Sequence, residues 1–237
     1  MEPSISADGR FVAFTSFGPP PIECNFLERY IGYWDRQRDV AELILVDNEW
    51  FWGIQPSISA DGRYIAFTTK ADLPNDKDGG DEDVVRWDRR TTNLVLVSRG
   101  FNGEPIGGVA VTPSISGNGN LVAFASDGGD SVVDADTGPD MQVYVRNISA
   151  GRTEQVSAGP GGERPRDEAT DPAISLDGRY VAFTSESSNL TPEGAGGVFR
   201  HDRQTDRTVM VSVTPTGQPA NGASALPAIS ADGAMVA

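Results

Sequence analysis

The sequence contains one cysteine, one histidine and no long hydrophobic run. A lone cysteine, Cys24, excludes an internal disulfide and a zinc cluster. No stretch approaches the roughly 18 consecutive apolar residues of a membrane helix, so we expect no membrane insertion. Basic residues are also scarce, since 19 Lys and Arg face 34 Asp and Glu for a net charge of −15. Such a chain repels phosphate groups, and we therefore expect no nucleic-acid partner.

One phrase recurs along the chain. It first runs from Pro3 to Ser16 as PSISADGRFVAFTS, and it returns at Pro56, Pro113, Pro172 and Pro227. The intervals are 53, 57, 59 and 55 residues, and the last copy stops at Ala237. A near-constant period of this size indicates a repeat architecture. We therefore treat 1–237 as one region with repeats at about 3–55, 56–112, 113–171, 172–226 and a partial 227–237.

Each repeat is expected to hold four short strands. An Asp-Gly or Asn-Gly pair, which suits the tight turn of a hairpin, separates the first strand from an apolar second strand. The small alanines of the second strand (Ala13, Ala66, Ala123, Ala182) suit close sheet-on-sheet packing. The third strand ends in Trp34-Asp35 or its equivalents, and an aliphatic fourth strand follows, as at 43–46 and 94–97. Four hairpin-linked strands per repeat indicate an all-β fold, a β-propeller of four-stranded blades.

The connectors between repeats have a constant length. Ser98, Ser157 and Ser212 each precede the next repeat's proline by 15 residues and carry a glycine five residues on. In the first repeat Asp47 takes the serine position and Pro56 follows after nine residues. A constant connector indicates constant geometry between neighbouring blades.

The phrase P-S-I-S-x-D-G-R-[FY]-[VI]-A-F-[TS], with a V-[FY]-V-R-D-R-like hairpin downstream, resembles the TolB-type, WD-repeat-like propeller repeats of bacterial proteins. The resemblance implies a propeller of six to eight blades and an extracytoplasmic location. No signal peptide is visible between Met1 and the first repeat, so we expect either a cytoplasmic protein or a true start upstream of Met1. Propellers of this kind serve as protein-binding platforms, as gating domains of peptidases or as secreted modules, so the resemblance alone does not fix a function.

The repeat count gives about four full blades plus the start of a fifth. We expect either a fragment of a larger propeller or an open arc. The exposed strand edges of an open arc favour self-association.

Two acidic loops between second and third strands are candidate calcium sites. Oxygen donors at alternate positions with a glycine turn are what Ca²⁺ prefers, but neither loop has the closing glutamate of an EF-hand. A solvated acidic turn is the alternative. The candidate ligands are Asp76, Asp78, Asp81 and Asp83 in the first loop and Asp134, Asp136 and Asp140 in the second.

Other residues carry weaker predictions. Trp50, Phe51 and Trp52 form either a binding patch for a sugar or protein, or a plug for the short first connector. His201 takes a position held by tryptophan or arginine in other repeats, which indicates a drifted repeat position rather than a catalytic base. Arg10, Arg63 and Arg179 follow the Asp-Gly turns, and we expect interblade ion pairs with carboxylates such as Asp8 or Asp35.

No convergent nucleophile, base or metal triad is recognisable. We therefore predict that the chain is not an enzyme but a binding or scaffold module for a protein or small ligand, with calcium as an optional stabiliser. The alternative is a substrate-gating propeller of a larger hydrolase resembling prolyl oligopeptidase, and a structural surface repeat comes third.

Overall fold

The computed structural model describes residues 3–17, 29–46, 49–50, 52–71, 73, 81–128, 140–163, 165–192 and 194–237. It confirms the all-β propeller arc, because four antiparallel four-stranded sheets follow one another along the chain. Blade 1 consists of β1 (Ser4–Ile5), β2 (Phe11–Phe17), β3 (Arg29–Asp35) and β4 (Val40–Leu43). Blade 2 consists of β7 (Ile54–Ile58), β8 (Tyr64–Thr69), β9 (Asp83–Asp88) and β10 (Leu94–Leu96).

The other two blades repeat this order. Blade 3 consists of β11 (Ala110–Ile115), β12 (Leu121–Ser126), β13 (Gln142–Asn147) and β14 (Arg152–Gln155). Blade 4 consists of β15 (Ala169–Ile174), β16 (Tyr180–Ser185), β17 (Gly197–Asp202) and β18 (Arg207–Met210). Of the partial fifth repeat, Ile229 and Val236 form an isolated antiparallel bridge.

The first repeat departs from the predicted fourth strand at 43–46. Strand β4 ends at Leu43, and β5 (Leu45–Val46) instead pairs with β6 (Glu49–Trp50) in a separate hairpin. Ile44 lies between them and is fully buried. The short connector of this repeat therefore forms its own small hairpin outside the blade.

The recurring Ser-x-Asp-Gly-Arg phrase is a self-contained hairpin. In blade 2 the Ser59 hydroxyl donates to the Asp61 carboxylate at 2.8 Å and accepts the Tyr64 N–H at 2.9 Å. The Arg63 N–H also donates to Asp61, at 3.0 Å. Asn118 fits the same position in blade 3 because its side-chain oxygen accepts the same two hydrogen bonds.

The glycine of this phrase is required twice. Gly62 has a φ of +68°, and a Cβ there would lie 2.1 Å from Phe11 Cδ2 of blade 1. The same close approach recurs between Gly119 and Tyr64. Each second strand thus begins with a bulky side chain that packs under the hairpin of the next blade.

A ladder of backbone hydrogen bonds joins these hairpins around the arc. Each bond runs from the N–H of one hairpin to the carbonyl of the next, over 2.9 to 3.0 Å. Its members are Ala7 to Ala60, Ala60 to Gly117, Gly117 to Leu176, and Leu176 to Ala231. Serine hydroxyls add a second set, for example Ser57 accepting the Ile115 N–H at 3.0 Å.

The connector serine that recurs in repeats 2 to 4 has a structural role. Ser157 Oγ accepts the Val143 N–H at 3.0 Å and donates to the Gln142 side chain at 2.8 Å. Ser98 and Ser212 accept the equivalent N–H groups of β9 and β17. The glycine five residues later has a positive φ in all three connectors. The constant spacing therefore reflects one repeated turn.

The core lies between successive sheets. The second-strand alanines are fully buried, as predicted. Strands β8 and β12 are buried on both faces, whereas β2 alternates between buried and half-buried residues. Accordingly Ile5 is 61% exposed while its counterpart Ile58, packed at the blade 1–2 junction, is 6% exposed.

Candidate functional site

The predicted calcium ligands do not converge in the described part of the chain. Asp76, Asp78, Asp134 and Asp136 lie outside the described residues. Asp81 and Asp140 are exposed, while Asp83 is 1% exposed and receives a short hydrogen bond from Ser98. Among the described residues there is no cluster of three or more potential metal ligands. Asp83 belongs to the blade, and calcium binding remains a prediction.

The aromatic cluster is described only in part. Phe51 and the Trp50 side chain lie outside the described residues. Trp52 is half-buried, forms a bridge with Tyr30 and accepts a hydrogen bond from Thr69 through its carbonyl. Its backbone therefore joins blade 1 to β8, and a binding role for the cluster stays a prediction.

The arginines after the Asp-Gly turns do form ion pairs, but the predicted interblade placement was wrong. Arg10 contacts Asp35 through two bonds of 3.0 and 2.8 Å, and both residues belong to blade 1. The pair recurs as Arg63–Asp88 and Arg179–Asp202. The carboxylate is the last residue of the third strand, which lies beside the second strand of the same sheet. This register places each ion pair within one blade.

A cavity of about 590 Å³ lies at the junction of blades 3 and 4. Its walls come from the blade 3 connector, the segment 190–192, His201 of β17 and strand β18. The volume falls in the range of small-ligand pockets, and the lining mixes apolar and polar side chains. We take this cavity as the candidate functional site.

The position of His201 explains why a cavity forms there. In blade 2 the position holds Trp87, which is 4% exposed and lies 5.9 Å from the Tyr33 ring of blade 1. In blade 3 it holds Arg146, whose Nη1 donates to the Gly100 carbonyl in the preceding connector, at 3.3 Å. Each of these long side chains spans from its own blade to the preceding one. The shorter imidazole of His201 leaves room beside the Gly159 connector.

The polar groups at this cavity are unevenly satisfied. His201 Nδ1 lies 3.0 Å from Thr208 Oγ1, and Nε2 lies 3.8 Å from a carboxylate oxygen of the exposed Asp206. Burial lowers the pKa of His201, so the neutral imidazole prevails near pH 7. Among the described residues, the buried Gln155 amide nitrogen and Thr191 hydroxyl have no hydrogen-bond partner. Both residues line the cavity, but these two atoms are themselves shielded from solvent, and Trp87 Nε1 at the filled blade 1–2 junction is equally unpartnered within the described part of the chain.

The hydroxyl, imidazole and carboxylate do not form a hydrolytic triad. The Thr208–His201 contact corresponds to the Thr153–Arg146 contact of blade 3, so it is a repeat feature. The Asp206 carboxylate at 3.8 Å is too far for a hydrogen bond to the ring.

One feature of the sequence points to this site. His201 is the small residue in a position otherwise held by Trp34, Trp87 and Arg146, which we interpreted only as drift. The other lining residues Gln155, Thr191 and Thr208 carry no motif of their own. Thr208 lies opposite His201 in the same sheet, whereas Gln155 reaches the cavity from blade 3.

Comparison with known proteins gives structural likeness alone. No protein-family model and no curated protein sequence matches the chain. TolB from Acinetobacter baumannii aligns with a TM-score of 0.63 at 19% identity, over 100% of this chain and 47% of that one. A putative TolB from Agrobacterium tumefaciens aligns with a TM-score of 0.56 at 16% identity, over 86% and 62%.

The structure of a hydrolase is also similar. The puromycin hydrolase S511A mutant, solved with PGG, aligns with a TM-score of 0.52 at 17% identity, over 88% of this chain and 28% of that one. The chain thus spans about half or less of the A. baumannii TolB and the hydrolase. The described residues contain no helix with the length and apolar character that a bilayer crossing requires. At these identities the likeness shows the fold, and the chain is an arc of a TolB-like β-propeller.

Proposed function

We propose that this chain is a non-catalytic binding module that takes a protein or small ligand into the cavity between blades 3 and 4. The observation that carries the proposal is the open cavity beside His201, a residue shorter than the Trp87 and Arg146 that occupy the equivalent positions of blades 2 and 3. If this junction had only to hold blades 3 and 4 together, a longer side chain that fills the cavity would serve equally well. The proposal is consistent with the TolB-like fold.

A cavity-filling substitution tests this function. The variant His201→Trp restores the side chain of blade 2 and should fold, since Trp87 packs at the equivalent position. Compounds and short peptides are screened by thermal shift against the wild type and this variant. We expect ligands that stabilise the wild type and lose their effect in the variant. Ligands that stabilise both proteins equally would show that binding occurs elsewhere.

The same preparation tests the absence of catalysis. Purified wild-type chain is incubated with chromogenic esters and peptide amides. We expect no turnover above the buffer rate. Hydrolysis that a single substitution abolishes would contradict a non-catalytic module.

A second candidate function is the gating propeller of a larger hydrolase, supported by the likeness to puromycin hydrolase. It requires a G-x-S-x-G-bearing domain in the same reading frame, because that phrase carries the nucleophile of such enzymes. Sequencing the gene on both sides of this segment decides the point. The extracytoplasmic location that the resemblance implies is tested by the same sequence, through the presence of an export signal.

A further inference from the structure

The side chain at the position equivalent to His201 in blade 3, Arg146, shows which groups this part of the fold can bind. At the blade 2–3 junction, the residue Arg146 is 6% exposed. Its guanidinium lies between the blade 2 connector and strand β14. Its Nη1 donates to the Gly100 carbonyl at 3.3 Å and to Thr153 Oγ1 at 3.0 Å. Neither contact is with a carboxylate. A carbonyl and a threonine hydroxyl thus hold a buried guanidinium in this fold.

We call the space between the Gly100 carbonyl and the Thr153 hydroxyl, which holds the Arg146 guanidinium, the niche of blade 3. Its carbonyl acceptor has a counterpart at the blade 3–4 junction. Gly159 corresponds to Gly100, since each lies two residues after the connector serine. Both carbonyls accept a hydrogen bond from the glycine three residues on, Gly162 and Gly103, at 3.0 Å. The Gly100 carbonyl also accepts from Arg146. Among the described residues, the Gly159 carbonyl accepts only from Gly162.

The hydroxyl acceptor recurs as well. Thr208 stands opposite His201 as Thr153 stands opposite Arg146. In blade 3 the Thr153 hydroxyl donates to the Arg99 carbonyl, which frees its lone pairs for the guanidinium. Thr208 contacts the His201 ring instead. The niche of blade 4 therefore keeps the acceptors of blade 3 and lacks the cation.

We propose, resting on the proposed function, that the cavity binds a guanidinium group, supplied by an arginine side chain of a partner peptide. The Gly159 carbonyl and the Thr208 hydroxyl are its acceptors, as in blade 3. The Asp206 carboxylate lies in the cavity wall and offers a charge partner that blade 3 lacks. The apolar walls, including Leu190 and Met210, accommodate the methylene stem of the side chain.

The charges around the cavity favour a cation. The Asp206 side chain is 92% exposed and places a carboxylate at the mouth of the cavity. Arg207 also lines the cavity but is exposed and can extend into solvent. The chain as a whole carries −15, which attracts basic peptides over the Debye length. Arginine suits such a site better than lysine because its planar fork contacts several acceptors at once.

The test uses blocked amino acids as probes of the intact chain. N-acetyl-arginine methylamide is titrated, with N-acetyl-citrulline methylamide as the uncharged isostere and N-acetyl-tryptophan amide as the mimic of Trp87. His201 is the only histidine, so its imidazole proton signals in NMR report binding at this site without assignment. We expect saturable shifts with arginine and none with citrulline. Equal shifts with citrulline, or shifts with tryptophan alone, would overturn the proposal.

Two variants locate the binding. His201→Arg places the chain's own guanidinium in the niche and should weaken arginine binding at least tenfold by calorimetry. Asp206→Asn should weaken it several-fold, and its high exposure makes misfolding an unlikely source of the effect. Asp39→Asn is the matched control, since Asp39 takes the same positive-φ turn position in blade 1. Unchanged binding in both niche variants would refute the assignment.

The two levels of the proposal fail separately. If blocked arginine does not bind, but His201→Trp abolishes the thermal shift of another ligand, the binding function holds and the guanidinium assignment falls. If arginine shifts the His201 signal and no larger ligand is found, the assignment holds. If no compound distinguishes the wild type from His201→Trp, both are refuted.

Discussion

Adding one methyl group at Gly62 isolates the contact between neighbouring blades. The variant Gly62→Ala places a Cβ 2.1 Å from Phe11 Cδ2, far inside contact distance. It also forces alanine into a φ of +68°. The matched control is Gly103→Ala, where φ is +79° but no atom lies within 4 Å of the new Cβ.

The two variants separate strain from crowding. A left-handed conformation costs an alanine about 1 to 2 kcal/mol, and both variants carry this cost. Overpacking a tight contact adds about 1 to 3 kcal/mol, which only Gly62→Ala carries. We therefore expect a loss of unfolding free energy of about 1 to 2 kcal/mol for the control. The expected loss for Gly62→Ala is about 2 to 5 kcal/mol.

Urea unfolding followed by tryptophan fluorescence measures both losses, and Trp87 lies close to the crowded contact. A background lacking the ring completes the experiment. In Phe11→Ala, the added methyl at Gly62 should cost no more than the control, because only the strain remains. Equal losses for Gly62→Ala and Gly103→Ala in the wild-type background would refute the reasoning that these hairpins pack on the preceding blade.

Three further predictions follow from the same structure. Hydrogen bonds from Arg63 lower the pKa of Asp88 to about 2, so this pair stabilises the fold above pH 4 and loses its effect as the pH falls towards 2. In Asp88→Asn, the unfolding free energy measured with urea should therefore change less between pH 4 and pH 2 than in the wild type. Ser157→Ala should lower the unfolding free energy by about 1 to 3 kcal/mol, because the Val143 N–H loses its buried acceptor, whereas the exposed Ser149→Ala should change it little. If the acidic loops bind calcium, millimolar Ca²⁺ should raise the melting temperature relative to chelator, and a rise that persists after their aspartates are changed to alanine would exclude these loops.

The repeat phrase allowed the blade interior to be predicted closely. Four strands per repeat, the Asp-Gly hairpins and the buried alanines such as Ala66 all follow from short apolar runs and turn chemistry within a few residues. The third strands end at Asp35 and its equivalents, as expected. Local sequence was sufficient here because each feature depends on neighbours along the chain.

Contacts between distant segments were predicted less well. The ion pairs of the arginines after the Asp-Gly turns were predicted to join neighbouring blades. The register of β2 against β3 instead places Arg10 and Asp35 in one sheet. The first repeat's fourth strand was predicted at 43–46 but lies at Val40–Leu43, because its register against β3 places Val40 opposite Asp35. Both errors concern which strand lies beside which.

By itself, the sequence determined the repeat, the fold class and the position that His201 occupies in its blade. Only the tertiary structure decided that this position faces the preceding blade's connector. The reason is physical: a side chain's size can be read from the sequence, but the space it must fill is set by segments far away along the chain, 46 residues in the case of Arg146 and Gly100. A cavity forms where the side chain is smaller than that space, and only the folded chain brings the side chain and the distant segments together.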